Sequence, residues 1–311
     1  MAKLAIVFSG QGSQYIGMGT DYFSTFPHLQ RMADEILGYH SMDVLTHPEG
    51  LIHQTEYTQP MVLLASIMGY EAFRTLNIQP SAVLGFSLGE YTALYASGVF
   101  SLKDVLSLVQ FRAEAMMRAT QHHEGGMAAI LGLSRDEVMD VCQKASEEAP
   151  VWAVNFNSPL QTVISGTKDG VLKAMELAKQ QGAKRAIPLQ VSGAFHSPLM
   201  ASAGDELNRY LNNVIHQPAQ IPIYMNVTSY PLKDDDLIGL LIQQLQSPVE
   251  FEQSILHMKE DGMTHFLEIG PGSVLTGLIK KIDNSLEVFH LDRLSELIDV
   301  KGWLDTHGFN Q

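Results

Sequence analysis

Short runs rich in β-branched residues alternate with helical patterns along this chain, and no other feature constrains its fold as strongly. The runs lie at residues 4–8, 82–84, 127–131, 162–165, 221–225, 265–269 and 287–291. Strands that alternate with helices favour a parallel sheet joined by crossover helices. The sequence therefore predicts an α/β fold with a parallel-sheet core.

One segment departs from this alternation. Its pattern is a strand (126–131), a helix (134–148), two strands (151–155 and 162–165), a helix (169–181) and a strand (184–188). This order is typical of a ferredoxin-like unit. We expect a small ferredoxin-like α+β domain at residues 123–195, inserted into a large domain made of residues 1–122 and 196–311.

A Gly-x-Ser-x-Gly motif directly follows the strand at 82–84. Gly85 and Gly89 flank Ser87, and a helical pattern follows them. In such a motif the serine lies on a tight turn, and the glycines let strand and helix approach closely. The pattern predicts that Ser87 is a nucleophile at a helix N-terminus, where developing negative charge is favoured. The alternative is a serine that caps a helix after a glycine-rich turn.

A second glycine-containing loop, Gly10-Gln11-Gly12, follows the first strand. Ligand sites of α/β proteins lie at such strand ends. The third glycine of a dinucleotide fingerprint and the lysine of a P-loop are both absent. The loop is interpreted as a source of amide donors for an oxyanion, or as a simple tight turn.

Arg112 lies in the apolar stripe of a helix that Ser101 caps and that extends to about residue 119. A buried guanidinium keeps its proton, so it needs an anion or several carbonyl acceptors. One interpretation is a structural ion pair with an acidic side chain. The other is a bidentate clamp for a substrate carboxylate.

His196 is the candidate base, because Ser197 and Pro198 after it are helix-start signals. A helix N-terminus disfavours imidazolium, so we expect a lowered pKa. A surface histidine is the alternative. No acidic residue between Ser87 and His196 stands out, so a serine–histidine dyad oriented by a neutral acceptor and a triad both stay open. There is no H-E-x-x-H motif, and we expect no metal.

Charge and cysteine content narrow the classes of function. With 20 Lys+Arg and 34 Asp+Glu, the net charge is −14, which indicates no nucleic-acid or membrane partner. No apolar stretch approaches the roughly 20 residues of a membrane helix, and the first run is too short for a signal sequence. Cys142 is the only cysteine, so an intrachain disulfide is impossible and we expect a cytoplasmic protein.

With these features together, the chain resembles the malonyl-CoA:acyl carrier protein transacylases and, more broadly, the acyltransferase domains of fatty-acid and polyketide synthases. The resemblance covers nearly the whole chain. It rests on residues 8–14, 85–90, 112, 154–159, 194–197, 244–249 and 268–278.

The resemblance implies a hydrolase-like large domain and transfer of malonyl from malonyl-CoA to an acyl carrier protein, with no cofactor. By this likeness His196 would activate Ser87, and the backbone amides of Gln11 and Leu88 would hold the oxyanion of a ping-pong reaction. Arg112 would pair with the malonyl carboxylate.

Three further roles come from the same resemblance. The main-chain carbonyl of Gln244 would orient His196, and Asn155 and Asn157 would line the cleft. Two positions depart from the family pattern, since Phe86 stands where histidine is common and Ser9 where proline is common. Their effect on acyl selectivity stays open, as does the choice between a fatty-acid and a polyketide pathway.

Two other functions remain as alternatives: a trans-acting acyl hydrolase of a polyketide assembly line, and a non-catalytic homologue that binds carrier proteins. We expect a monomer. Because CoA and most carrier proteins are anions, four residues are candidates for a local basic rim, with an ordinary solvated surface as the alternative: Lys184, Arg185, Lys280 and Lys281.

Overall fold

The computed structural model describes residues 2–121, 124–191, 193–233 and 236–309. Its strands are β1 (Leu4–Phe8), β2 (Ala82–Gly85), β3 (Gly125–Leu131), β4 (Val151–Ser158), β5 (Gln161–Thr167), β6 (Arg185–Pro188), β7 (Ile223–Tyr224), β8 (His265–Ile269) and β9 (Glu287–Leu291). Its α-helices are α1 (Pro27–Leu37), α2 (Ser41–Leu45), α3 (Thr55–Arg74), α4 (Gly89–Ala96), α5 (Leu102–Thr120), α6 (Arg135–Ala145), α7 (Lys168–Gln180), α8 (Ala201–Leu211), α9 (Leu237–Gln244), α10 (Phe251–Glu260), α11 (Val274–Ile282) and α12 (Leu297–Thr306).

The larger sheet is parallel and has the strand order β7-β2-β1-β8-β9. Its central strand β1 is an unbroken apolar run whose five residues are all buried, as expected of a strand covered on both faces. In register, Phe8 of β1 pairs with Gly85 of β2. The carboxyl ends of β1 and β2 therefore lie side by side, and the loops after them are neighbours.

The smaller sheet is antiparallel and has the strand order β4-β5-β3-β6. Together with α6 and α7 it forms the ferredoxin-like arrangement predicted from the strand and helix order. Val249 joins it to the rest of the molecule, because its amide donates to Val154 (2.8 Å) and its carbonyl accepts from Phe156 (3.0 Å). The α/β class with a small antiparallel unit is thus confirmed.

Element boundaries differ from prediction in a few places. The strand predicted at 221–225 is only two residues long, Ile223–Tyr224: Pro222 before it has no amide hydrogen, and after it the amide of Met225 donates to Tyr230 in the following turn. The helix predicted at 134–148 spans Arg135–Ala145, and Ser134 caps it.

The domain boundary expected between 122 and 123 lies outside the described residues, so the division at 1–122, 123–195 and 196–311 stays a prediction. Within the described ranges, no helix is long and apolar enough to cross a membrane.

Candidate active site

The turn between β2 and α4, residues 85–89, is here called the elbow. Ser87 at its centre has φ of 51°, a left-handed conformation that side chains other than glycine adopt at a cost. A Cβ on Gly85 would lie 1.9 Å from the carbonyl carbon of Gly89, and a Cβ on Gly89 would lie 2.2 Å from the carbonyl oxygen of Phe8. Both glycines are therefore required by close backbone packing, as the motif indicates.

Ser87 and His196 are brought together from distant parts of the chain. The Oγ of Ser87 lies 2.7 Å from Nε2 of His196, and Nδ1 of His196 lies 2.7 Å from the main-chain oxygen of Gln244. Because a carbonyl can only accept, Nδ1 carries the hydrogen and Nε2 is free to accept the serine proton. Of the two arrangements left open by the sequence, the geometry is a dyad oriented by a neutral carbonyl.

The pKa of His196 is lowered to about 4. Burial is the largest cause, the positive charge of Arg112 adds to it, and the hydrogen bond to Gln244 opposes it. The lowered pKa agrees with the prediction, and burial is its largest cause. Ser197 does cap the following turn, where its Oγ accepts from the amide of Leu199 at 3.3 Å.

Gln11 and Leu88, whose backbone amides are the expected oxyanion donors, both line the cleft that contains Ser87 and His196. Leu88 is the N-cap residue of α4, where backbone N–H groups lack an intrahelical acceptor. Gln11 belongs to the loop after β1, and a Cβ on Gly10 would lie 2.3 Å from the carbonyl oxygen of Phe86. This close approach packs the Gln11 loop directly against the elbow.

Arg112 is 1% exposed. Its Nη1 donates to Oε1 of Gln59 at 2.6 Å and its Nη2 to Oε1 of Gln244 at 3.1 Å, while its Nε has no partner in the described part of the chain. Among the described residues no carboxylate forms a salt bridge with its guanidinium, and Glu90 acts on it only at longer range, where its charge opposes the lowering of the Arg112 pKa by burial. A buried positive charge with unused donors is suited to an anionic ligand.

These groups line one cleft with a volume of about 220 Å³. Asn155 and Asn157 are buried in its wall, and Oδ1 of Asn157 has no hydrogen-bond partner among the residues described. The rest of the lining is mainly apolar and includes the following side chains: Met116, Met127, Ala129, Val163, Leu189, Val191, Phe195, Val274, Leu275 and Leu278.

Phe86 and Ser9, the two residues that depart from the family pattern, both make defined side-chain contacts. Phe86 lines the cleft and packs edge-on against Phe251, with ring centroids 5.4 Å apart. The hydroxyl of Ser9 donates to Oε1 of Glu268 at 3.3 Å, a contact that proline could not make. Glu268 also accepts from the amides of Leu275 and Thr276, so Ser9 is linked to the N-terminus of α11.

Three buried polar residues of the site were missed from the sequence: Gln59, Glu90 and Asn226. Gln59 does not stand out in the sequence, because other polar residues, among them Glu56 and Thr58, precede it in helix α3. Glu90 follows the elbow directly, whereas nothing in the pattern around Asn226 marked it. Burial raises the pKa of Glu90 to about 8, although the Asn226 amide and the charge of Arg112 lower it.

The four candidate basic residues do not gather on one element. Lys184 and Arg185 belong to or precede β6, at one edge of the small sheet, whereas Lys280 and Lys281 are on α11, which packs against β4 at the other edge. Lys280 also donates to the main-chain oxygen of Leu286 at 2.5 Å.

Over the described ranges, no group of three or more His, Cys, Asp or Glu side chains could hold a metal ion.

A parallel sheet with a serine elbow, a facing histidine and a small antiparallel unit is an architecture suited to acyl-transfer chemistry. The chain belongs to the acyl transferase domain family, whose model matches residues 5–291. It is 43% identical to a malonyl CoA-acyl carrier protein transacylase of Bacillus subtilis over 297 residues, which cover 92% of each chain.

Solved structures agree with this assignment. A malonyl CoA-acyl carrier protein transacylase from Clostridium perfringens superposes with a TM-score of 0.94 at 36% identity, covering 98% of each chain. A malonyl-transacylase solved in complex with a holo type II PKS acyl-carrier protein has a TM-score of 0.92 at 36% identity, covering 96% of this chain and 98% of that one.

Proposed function

We propose that this acyltransferase moves a malonyl group from malonyl-CoA to the pantetheine thiol of an acyl carrier protein. The observation that carries the proposal is Arg112, a buried cation without a carboxylate partner among the described residues, in the cleft that contains Ser87 and His196. The names of the relatives and the solved complex with a carrier protein support both the donor group and the partner.

In the first half-reaction, Ser87 attacks the malonyl thioester. His196 Nε2 takes the serine proton as the Oγ–carbonyl bond forms, and the amides of Gln11 and Leu88 donate to the oxyanion. The carbon–sulfur bond then breaks, CoA leaves as its thiol with the proton from His196, and malonyl remains as an ester on Ser87.

In the second half-reaction, the pantetheine thiol of the carrier attacks this ester. His196 accepts the thiol proton while the new carbon–sulfur bond forms, and it returns the proton to Ser87 Oγ as the ester bond breaks. The carbonyl of Gln244 keeps the imidazole in the same tautomer throughout. No cofactor enters either step.

Arg112 would select the donor. The free carboxylate of malonyl distinguishes it from acetyl, and a guanidinium left buried without an anion disfavours acetyl and longer acyl groups. Asn155 and Asn157, on β4, would face the acyl or pantetheine part of the substrate from the opposite wall of the cleft.

Three properties of the working protein belong to the same proposal: it acts as a monomer in the cytoplasm, and it supplies malonyl units to fatty-acid or polyketide synthesis. A reducing compartment is consistent with Cys142, which is buried and whose thiol pKa is raised to about 12 by desolvation. Sedimentation at several protein concentrations tests the monomer.

The direct test mixes the pure protein with holo carrier protein and either malonyl-CoA or acetyl-CoA. Malonyl transfer to the carrier supports the proposal. Release of acyl groups from the carrier to water would instead assign an acyl hydrolase, and carrier binding without any acyl transfer would assign a non-catalytic homologue.

A further inference from the structure

Asn226, in the loop after β7, joins the two sides of the elbow. Its Oδ1 accepts from the amide of Ser87 at 2.7 Å, and its Nδ2 donates to the carbonyl oxygen of Gly85 at 2.6 Å. Asn226 is 1% exposed, so water cannot replace either hydrogen bond. One side chain therefore satisfies the backbone on both sides of Phe86.

Glu90 holds this asparagine from the first turn of α4. The amide of Asn226 donates to Oε1 of Glu90 at 2.7 Å, and Nε2 of Gln244 donates to Oε2. The same Nε2 donates to the carbonyl oxygen of Ser87 at 3.0 Å. The two peptide groups of Ser87 are thus held by the side chains of Asn226 and Gln244, and Glu90 binds both residues, Asn226 through its main-chain amide and Gln244 through its side-chain nitrogen.

The orientation of these amides follows from their partners. Arg112 can only donate, so the oxygen of the Gln244 side chain faces it and the nitrogen faces Glu90 and Ser87. The Ser87 amide can only donate and the Gly85 carbonyl can only accept, so only one orientation of the Asn226 side chain satisfies both. The side chain at position 226 must therefore carry one hydrogen-bond acceptor, for the Ser87 amide, and one donor, for the Gly85 carbonyl.

The hydrogen bonds of Asn226 act on a strained part of the backbone. Ser87 has φ of 51°, and a non-glycine residue keeps such an angle only when its surroundings enforce it. The Ser87 Oγ must stay at 2.7 Å from His196 Nε2, and a displacement of about 1 Å costs about 100-fold in rate. The hydrogen bonds of Asn226 act on the backbone that sets this distance.

We propose that Asn226, anchored by Glu90, is a positioning residue that holds the Ser87 elbow in its reactive conformation. It touches neither the acyl group nor the imidazole and acts through the Ser87 and Gly85 backbone. This inference deepens the proposed role of Ser87 as the nucleophile and rests on it.

The test uses Asn226→Asp, which keeps the shape of the side chain. A neutral carboxylic acid there can still accept from the Ser87 amide and donate to the Gly85 carbonyl, whereas a carboxylate places a negative oxygen against that carbonyl. Burial beside Glu90 raises the pKa of the introduced carboxyl. We expect the variant to approach wild-type reactivity at low pH and to lose about 100-fold as its carboxyl ionises at higher pH.

Reactivity is read with an alkyl fluorophosphonate, which reports on Ser87 without requiring malonyl recognition. The Oγ–phosphorus bond forms, fluoride leaves and His196 takes the proton. Other charged groups near the loop are Glu90, His196, Arg112 and Glu250, whose amide donates to the Asn226 carbonyl. Glu90 is the nearest acid to position 226, so it and the new carboxyl titrate as a coupled pair, and the ratio of variant to wild-type labelling rates reports the ionisation that only the variant adds.

Asn208→Asp, the same change on the exposed face of α8, is the matched control and should label at the wild-type rate at every pH. Asn226→Ala is the second variant, expected to lower kcat for malonyl transfer about 100-fold with KM little changed, because Arg112 is untouched. Melting curves select a temperature at which each variant is folded.

A ratio for Asn226→Asp that stays flat across pH would overturn the positioning role, as would a loss confined to KM in Asn226→Ala. Failure of the proposed function looks different. In that case wild-type protein reacts with the fluorophosphonate but takes up no malonyl group, and the pH-dependent ratio for Asn226→Asp is still observed.

Discussion

Ser87 and His196, the two residues that would carry out the chemistry, both have left-handed backbone angles, with φ of 51° and 61°. Such angles cost about 1–3 kcal/mol each and persist where surrounding contacts enforce them. The contacts here are Asn226 at the elbow and the Gln244 carbonyl at the imidazole. At the scale of single residues, the site is held by buried polar groups that contact the reacting residues rather than the substrate.

Arg112→Ala should shift the preference of the enzyme from malonyl-CoA towards acetyl-CoA as the acyl donor. Without the guanidinium, malonyl transfer should fall at least about 100-fold, because the substrate carboxylate would be buried without a partner. Acetyl transfer should rise, since no unpaired cation would remain beside a neutral acyl group. Steady-state kinetics with malonyl-CoA and acetyl-CoA measure both changes. Equal losses with the two donors would make Arg112 a structural residue only.

The lowered pKa of His196, about 4, predicts a base that stays neutral through the physiological range. The neutral form dominates above the pKa, so kcat/KM should be lost only as the pH falls through about 4 to 5. An NMR titration of the imidazole of His196, assigned with a His196→Gln variant, measures this directly. A ring that is still charged above pH 7 would contradict the role of burial and of Arg112.

At the scale of elements, the site depends on the approach of α4 to β1 and β2. The helix begins at Gly89, directly against the carbonyl of Phe8, so its N-terminus and the Leu88 amide lie at the sheet edge. The loop after β1 meets the elbow from the other side. Small residues at these positions allow the two loops to share one edge of the sheet.

Gly89→Ala should therefore destabilise the fold by about 3 kcal/mol or more, because the new Cβ meets backbone rather than a movable side chain. Gly277→Ala is the matched control on α11, where nothing lies within 4 Å, and it should stabilise by about 1 kcal/mol through helix propensity. Urea unfolding of both variants gives the two free energies. Equal stability of the two would show that the close packing of the elbow is unimportant.

At the scale of the whole molecule, a chain with a net charge of −14 would handle two anionic substrates. Inside the cleft, Arg112 would bind the malonyl carboxylate. The net charge of the chain does not determine this local contact. Outside it, the basic residues form two separate pairs at opposite edges of the small sheet rather than one rim.

If these pairs attract an acidic carrier protein, kcat/KM for the carrier should fall as salt rises, because surface charges are screened beyond about 8 Å at physiological ionic strength. Stopped-flow or steady-state transfer at several salt concentrations tests this, and the rate of fluorophosphonate labelling serves as the salt-insensitive control. Transfer that is independent of salt would leave the pairs as ordinary solvated surface.

Features of the fold and the site could be predicted from the sequence where a short stretch of residues determines them. The elbow glycines, the cap at Ser101 and the order of strands and helices along residues 126–188 are all local patterns, and the structure agrees with them. The contacts of Arg112 could not be predicted, because Gln59 and Gln244 lie 53 and 132 residues away along the chain. Asn226 was missed for the same reason, since only the folded chain brings it to the elbow.

The malonyl-serine intermediate is tested most directly by the intact mass of the protein after brief exposure to malonyl-CoA without carrier. Wild-type protein should gain one malonyl group, which peptide mapping should place on Ser87, and addition of holo carrier protein should remove it. Ser87→Ala should gain nothing. An unmodified wild-type protein, or an adduct that forms equally in Ser87→Ala, would contradict a malonyl-serine intermediate in this cleft.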